Sequence, residues 1–270
     1  MSRKEGFTLV ELLVVIAIIA LLMSILMPAL GRTRRQAQAV ICQSHLHGWG
    51  LAFQMFCDDH EGYFPASQKT NEDYWIVALL PYIGAEKNEP SESRENFFCP
   101  SAKVNKNIGY SINHYGSTFS TWGPFPILHT IWYDERAMGS YGFNDWCANP
   151  PSTEYWTMPS KYSFRTPNVS RRKDVPVLLD ALYCDGFPMS ANLPPPFPDM
   201  YDNWYVNAMK IFCIDRHQGG TINGLFIDWS VRSIGLKELW RLKWHKAYDT
   251  EYPPPDWDSE APWMRKFKDY

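Results

Sequence analysis

The chain lacks an excess of either charge, with 26 basic residues against 29 acidic ones in 270. That balance excludes a nucleic-acid surface, which needs a basic stripe, and it excludes a polyanionic tail. No Cys-x-x-Cys pair occurs among the six dispersed cysteines, so the sequence offers no zinc-ribbon spacing and no metal is expected. Gly-x-Ser-x-Gly, His-Glu-x-x-His and phosphate-cradling glycine loops are missing too, which removes the common hydrolase, metalloprotease and nucleotide-binding readings. No internal repeat is present, and the chain reads as a non-enzyme.

What is present is concentrated at the amino end. A polar leader containing Arg3 and Lys4 stops at Gly6, and about 24 residues from Phe7 to Leu30 follow with a single charge among them, Glu11. As a helix this run measures about 36 Å, enough for a hydrocarbon core of about 30 Å. A carboxylate inside it costs on the order of 2.5 to 3.5 kcal/mol near the centre and less near an end, so Glu11 calls for a cationic partner. Pro28 has no N–H and its ring crowds the carbonyl of Ser24, which predicts a kink or a loosened turn.

The wording GFTLVELLVVIAIIALL resembles the type IV prepilin signal, also used by type II secretion pseudopilins. The resemblance implies cleavage between Gly6 and Phe7 by a membrane-embedded prepilin peptidase, methylation of the new Phe7 amine, and pairing of Glu11 with the amine of a neighbouring subunit. It also implies an assembly role for Pro28, at a depth where pilin helices often carry proline. An ordinary signal peptide ending near Ala29-Leu30-Gly31 competes with this reading, but its apolar stretch is too long. A plain membrane anchor gives no reason for Gly-Phe before the run or Glu within it. Arg32, Arg34 and Arg35 outnumber Arg3 and Lys4, so the basic-residue count does not place the amino end in the cytoplasm; the motif does.

Past the span, Ala39, Cys42, Leu46, Trp49, Phe53 and Phe56 recur at spacings of three and four, while Arg35, Gln36, Gln38, Gln43 and His47 fall largely off that stripe. The helix is therefore expected to continue to about Asp58 and pack on a head, with Gly48 and Gly50 as costs and Gly62 as its punctuator. Residues 73–83 predict a second short helix, and 175–182 and 221–233 predict strands, the latter folding back near Asp228. Residues 235–248 predict an amphipathic helix with Leu236, Leu239, Trp240 and Trp244 on one face. The fold class is α+β: a long amino-terminal helix packed on an antiparallel β-sheet head with large loop insertions. The expected divisions are a leader at 1–6, a transmembrane segment at 7–30, the outer half of the helix at 31–58 and the head at 59–270.

The head carries a second resemblance. Residues 42–66, Cys99-Pro100-Ser101, Tyr141-Gly142-Phe143-Asn144 and Arg216-His217 with Asp228 look like the head of large pilin-like proteins, whose common domain is named for a His, nine residues and Asp-Gly. Here ten residues separate His217 from Asp228, and Trp229 stands where the glycine belongs. His217 and Asp228 are expected to form a structural pair across the hairpin, with Asp228 accepting backbone N–H groups in its turn. A metal-ligand pair or a catalytic base with its partner are the other readings.

Six cysteines allow fifteen full pairings. One has a reason: Cys42 lies on the inward stripe and Cys99 opens a Cys-Pro-Ser turn, so a bridge would pin head to helix, worth about 2 to 4 kcal/mol. No cofactor is expected beyond a weak calcium signal at Asp199, Asp202 and Asn203, which the pseudopilin resemblance raises. Trp122, Trp132, Tyr133, Trp146, Tyr155, Trp156, Trp204 and Tyr205 fall in loop-like segments, and core filling is favoured for them over sugar stacking. The function implied is a prepilin-processed, single-pass inner-membrane subunit of a pseudopilus or pilus, with a minor position in view of the head's bulk. Its partners would be prepilin peptidase, other pilin or pseudopilin subunits and the membrane, and its head would face outward. The alternative is a membrane-tethered carbohydrate- or surface-binding module that is exported by the prepilin route and never polymerises.

Overall fold

The computed structural model describes residues 9–66, 74–84, 98–104, 115–126, 136–151, 154–155, 158–200, 207–217 and 219–270. Its elements are α1 (Leu9–Asp59), α2 (Trp75–Leu79), β1 (Trp122–Pro126), β2 (Arg136–Gly139), β3 (Tyr141–Asn144), β4 (Glu154–Tyr155), β5 (Met158–Pro159), β6 (Pro176–Asp180), β7 (Asp185–Gly186), α3 (Met209–Phe212), β8 (Thr221–Phe226) and β9 (Val231–Gly235). The chain divides into two compact units, Met1–Ala37 and Gln38–Tyr270.

The first unit holds the apolar part of α1. The helix continues through Pro28. Ser24 and Thr33, on either side of Pro28, return their hydroxyls to the carbonyls of Leu21 and Ala29 at 2.7 and 3.1 Å.

The second unit is the α+β head. Its main sheet runs in the order β7-β3-β6-β8-β9, antiparallel throughout except for the β3–β7 edge pair. Every residue of β6 is buried, so both faces of the sheet are covered, which explains why PVLLD reads as an apolar run rather than an alternation. Pairing of Leu178 with Leu225, Phe143 with Leu178 and Tyr141 with Asp180 sends those side chains to one face. That face receives the outer part of α1, where Cys42, Leu46, Trp49, Phe53 and Phe56 are buried as their spacing predicts and Ala39 is half-buried. Phe53 stacks on Phe143 at 5.5 Å and on Trp75 at 6.4 Å, with Phe64 edge-on at 6.0 Å.

Gly50 resolves one apparent cost. A Cβ there would lie 2.9 Å from Leu225 Cδ1, so the missing side chain lets the helix sit directly on β8. The helix ends as expected: Gly62 takes φ of 80° and its N–H reaches the Cys57 carbonyl at 2.8 Å.

The second short helix is present as α2 continued by a 3-10 turn over Leu80–Ile83, closed by Gly84 at φ 68°. The predicted strands appear as β6 and the β8–β9 hairpin, whose turn puts Trp229 at φ 66°. A bulky residue thus holds the left-handed conformation that a glycine takes more easily. The predicted carboxy-terminal helix is corrected: Leu236–Arg241 forms only a 3-10 segment, followed by extended chain at Leu242. The Trp244 indole takes the Leu239 carbonyl at 2.7 Å, and Trp240 turns its indole to Asn192 at 2.6 Å, so tertiary partners replace a regular helical ladder. Leu236, Leu239, Trp240 and Trp244 are nevertheless all buried, as their pattern requires.

Candidate functional site

Strand register builds a polar cluster under α1. Tyr141 of β3 and Asp180 of β6 are paired and face the helix at the level of Cys42. The Asp180 carboxylate accepts from Arg216 Nη1 at 3.2 Å on Oδ1, and from the Asn223 N–H at 2.9 Å on Oδ2. His217 Nε2 lies 2.9 Å from Oδ2 and 3.5 Å from Cys99 Sγ. Cys42 Sγ is 3.6 and 3.7 Å from the two carboxylate oxygens and receives the Tyr141 hydroxyl at 3.5 Å. The donor atoms of Cys42, Cys99, Asp180 and His217 all lie within 4.8 Å of one another.

Arg216 is the frame around this group. Its guanidinium is fully buried and donates to the carbonyls of Thr118 (2.8 Å), Ser140 (2.5 Å), Ser117 (3.0 Å) and Ala181 (3.2 Å) besides Asp180. Cys99 is fixed in turn by its N–H, which donates to Ser140 Oγ at 2.6 Å.

Electrostatics follow from that geometry. Burial alone would raise the Asp180 carboxyl, but the charges and hydrogen bonds of His217 and Arg216 outweigh it and hold the group at about 2. Burial alone would lower His217, and the facing carboxylate raises it instead to about 10. Burial pushes the Cys42 thiol well up. Burial also works against a Cys99 thiolate, yet hydrogen bonds from Cys42 and His217 and the nearby Arg216 bring it down to about 6. The two cysteines are thus shifted in opposite directions and titrate as a coupled pair.

This is not the relay of a cysteine hydrolase. There a carboxylate holds one imidazole nitrogen while the other meets the nucleophile. In this cluster Nε2 meets both groups, and Nδ1 is buried without a hydrogen-bond partner.

In the first unit, every large apolar side chain from Leu9 to Leu30 is between 45% and 78% exposed. By length and composition this part of α1 can cross a membrane, and Glu11 sits in its first turn. Residues 1–27 match the family model described as the prokaryotic N-terminal methylation motif. Over 63 residues the chain is 38% identical to the type IV wide pilus major component PilA4 of Thermus thermophilus, a match covering 23% of this chain and 48% of that protein. The chain is type IV pilin-like. It thus spans about half the length of this curated relative, and no solved structure matches it.

In this pilin-like chain, Gly6 and Phe7 lie outside the described residues, as do Asp202, Asn203, Trp132, Tyr133, Trp156, Trp204, Tyr205 and the Tyr155 side chain. Trp122 and Trp146 are buried, which agrees with core filling. Asp199 accepts from the Thr118 N–H at 2.5 Å and hydroxyl at 2.7 Å, closing a loop contact. The expected His217–Asp228 pair is corrected. Asp228 accepts from the Ser230 N–H (3.0 Å) and hydroxyl (2.6 Å) within its own turn, as anticipated, but His217 meets Asp180 and Cys99 instead. Six residues of β8, about 20 Å of extended chain, separate the two positions.

For the expected Cys42–Cys99 bridge, the structure places the two sulfurs as neighbours with no disulfide between them or at the other four cysteines. Folding brings two of the dispersed cysteines, Cys42 and Cys99, together with Asp180 and His217. Asp180, Arg216 and Tyr141 carried no assigned role in the sequence. Tyr141 and Arg216 stand in blocks resembling the pilin-like head, and the signal for Asp180 is an acid closing the apolar strand PVLLD.

Proposed function

We propose that this chain is a prepilin-processed, inner-membrane subunit that assembles through α1 into a type II secretion pseudopilus or type IV pilus-like filament, as a structural component and not an enzyme. The observation that carries the proposal is the methylation motif joined to an exposed apolar helix with Glu11 in its first turn. Prepilin peptidase cuts after Gly6, the new amine of Phe7 is methylated, and Glu11 meets the amine of the adjoining subunit. The head faces outward, and its size suits a minor position.

Mass spectrometry of the membrane-extracted chain tests processing. A terminus at methylated Phe7 is expected, and one at Arg32 overturns the proposal. Cysteines placed beside Glu11 and Phe7 test assembly, with crosslinked ladders expected and Glu11→Gln reducing them.

A membrane-tethered surface- or carbohydrate-binding module has one observation in its favour. A groove of about 610 Å3 at the end of α1 is lined by Phe56, Asp59, His60, Tyr63 and Tyr82, with Tyr63 39% exposed. Monomers alone in the crosslinking assay would select that reading.

A further inference from the structure

We infer that Cys42, Cys99, Asp180 and His217 form a closed structural zinc site that fastens the outer part of α1 to the sheet. The inference does not depend on filament assembly. Four donor atoms of types that zinc accepts converge from four remote points of the chain: α1, the Cys-Pro-Ser turn, the end of β6 and the segment before β8. Tetrahedral zinc with its usual bond lengths sets edges of about 3.6 Å for sulfur–nitrogen, about 3.6 Å for sulfur–oxygen and about 3.4 Å for nitrogen–oxygen. The corresponding separations are 3.5 Å for Cys99–His217, 3.6 Å for Cys42–Asp180 and 2.9 Å for His217–Asp180. Of these three edges only the last must open, by about half an ångström, as the metal takes the place of the proton in that hydrogen bond, while the other three edges are bounded by the 4.8 Å spread of the donor atoms and close onto the metal where they exceed zinc's edge lengths.

Charge balance agrees. Two thiolates and a carboxylate carry three negative charges, which Zn2+ and the buried Arg216 neutralise, with His217 neutral. The thiol protons and any imidazolium proton leave to solvent on binding. Around the donors, Arg216 and the Asn223 N–H orient the carboxylate and Tyr141 donates to the Cys42 sulfur, whereas His217 Nδ1 lacks the hydrogen bond that a zinc-bound imidazole usually makes. Two sulfurs with one imidazole and one carboxylate favour zinc over calcium or magnesium, which take oxygen ligands. A complete set of four protein ligands marks a structural site rather than a catalytic one. A Cys42–Cys99 disulfide is the competing use of the two sulfurs. It would leave the Tyr141 hydroxyl and His217 directed at sulfurs that bear no charge.

The full chain, purified in detergent without chelators or a histidine tag, should carry about one zinc per molecule by elemental analysis. Cobalt(II) exchanged into the unsubstituted protein should show sulfur-to-cobalt charge transfer and tetrahedral d–d bands, a readout that needs no variant. Cys42→Ser and Cys99→Ser should each cut zinc content at least about tenfold, while Cys57→Ala, a buried thiol elsewhere on α1, should retain it. Zinc below about a tenth per molecule, together with a Cys42–Cys99 peptide lighter by two hydrogens, overturns the site in favour of a disulfide. Undiminished zinc in both serine variants overturns it as well, because the metal then lies elsewhere.

Discussion

Replacing Arg216 with methionine removes the residue on which the head cluster converges. The side chain keeps its length but loses one donor contact to Asp180 and four to backbone carbonyls, all buried except the part-buried one to Ser117. Breaking a buried ion pair from one side costs about 3 to 5 kcal/mol, because the remaining charge stays in a medium that does not solvate it. The Thr118 and Ala181 carbonyls lose the guanidinium as donor and push the figure to the upper end, while those of Ser140 and Ser117 keep the N–H groups of Ala181 and Ser120. A domain is stable by about 5 to 15 kcal/mol, so Arg216→Met takes away a third of that or more. Arg216→Lys keeps the charge but not the planar fork, and should cost about 2 kcal/mol. Urea unfolding of the full chain in detergent at fixed zinc concentration, followed by fluorescence of its 12 tryptophans, measures both. Pairing Arg216→Met with Asp180→Asn should cost less than the sum of the single changes by more than about 1 kcal/mol, since the stranded charge is then gone. A loss under about 1 kcal/mol for Arg216→Met alone would refute the reasoning, because the cluster would then be dispensable to the head.

Phe53→Ala, which empties the space between Phe143, Trp75 and Phe64, should cost about 3 to 5 kcal/mol in the same assay, whereas Phe53→Leu should cost well under half of that. His245 is buried among Trp146, Tyr162 and Tyr248 with neither ring nitrogen bonded, and burial together with the Lys243 charge holds it down at about 4. It stays neutral in the folded head while the unfolded chain takes up a proton below about 6.5, so stability falls as pH drops from about 6.5 to 4, by up to about 3 kcal/mol. Urea midpoints at both ends of that window should show a smaller fall in His245→Phe than in the parent; equal falls would exclude His245 as the cause.

The parts of the fold that were legible in the sequence are those governed by local periodicity. The stripe from Cys42 to Phe56 needed only the helical repeat, and β6 and the β8–β9 hairpin needed only apolar runs between turn residues. The cluster was not legible because its members are set by pairings between distant segments. His217 and Asp228 are close in sequence, and that closeness misled: a strand carries them apart, while the β6–β8 pairing brings His217 to Asp180, 37 positions away. The carboxy-terminal segment failed for a related reason. Its spacing correctly named the buried side chains, but indole N–H groups reaching distant and local carbonyls decided the backbone.

The bare backbone at Gly50 also has a mechanical meaning. Sliding the outer part of α1 by one turn along β8 would bring a neighbouring side chain, such as Leu46 or Gln54, to the spot where even a Cβ would lie 2.9 Å from Leu225 Cδ1 and force that side chain to shift. The helix is therefore keyed axially to the sheet, and tension along residues 38–59 passes into the strands instead of being absorbed as slip.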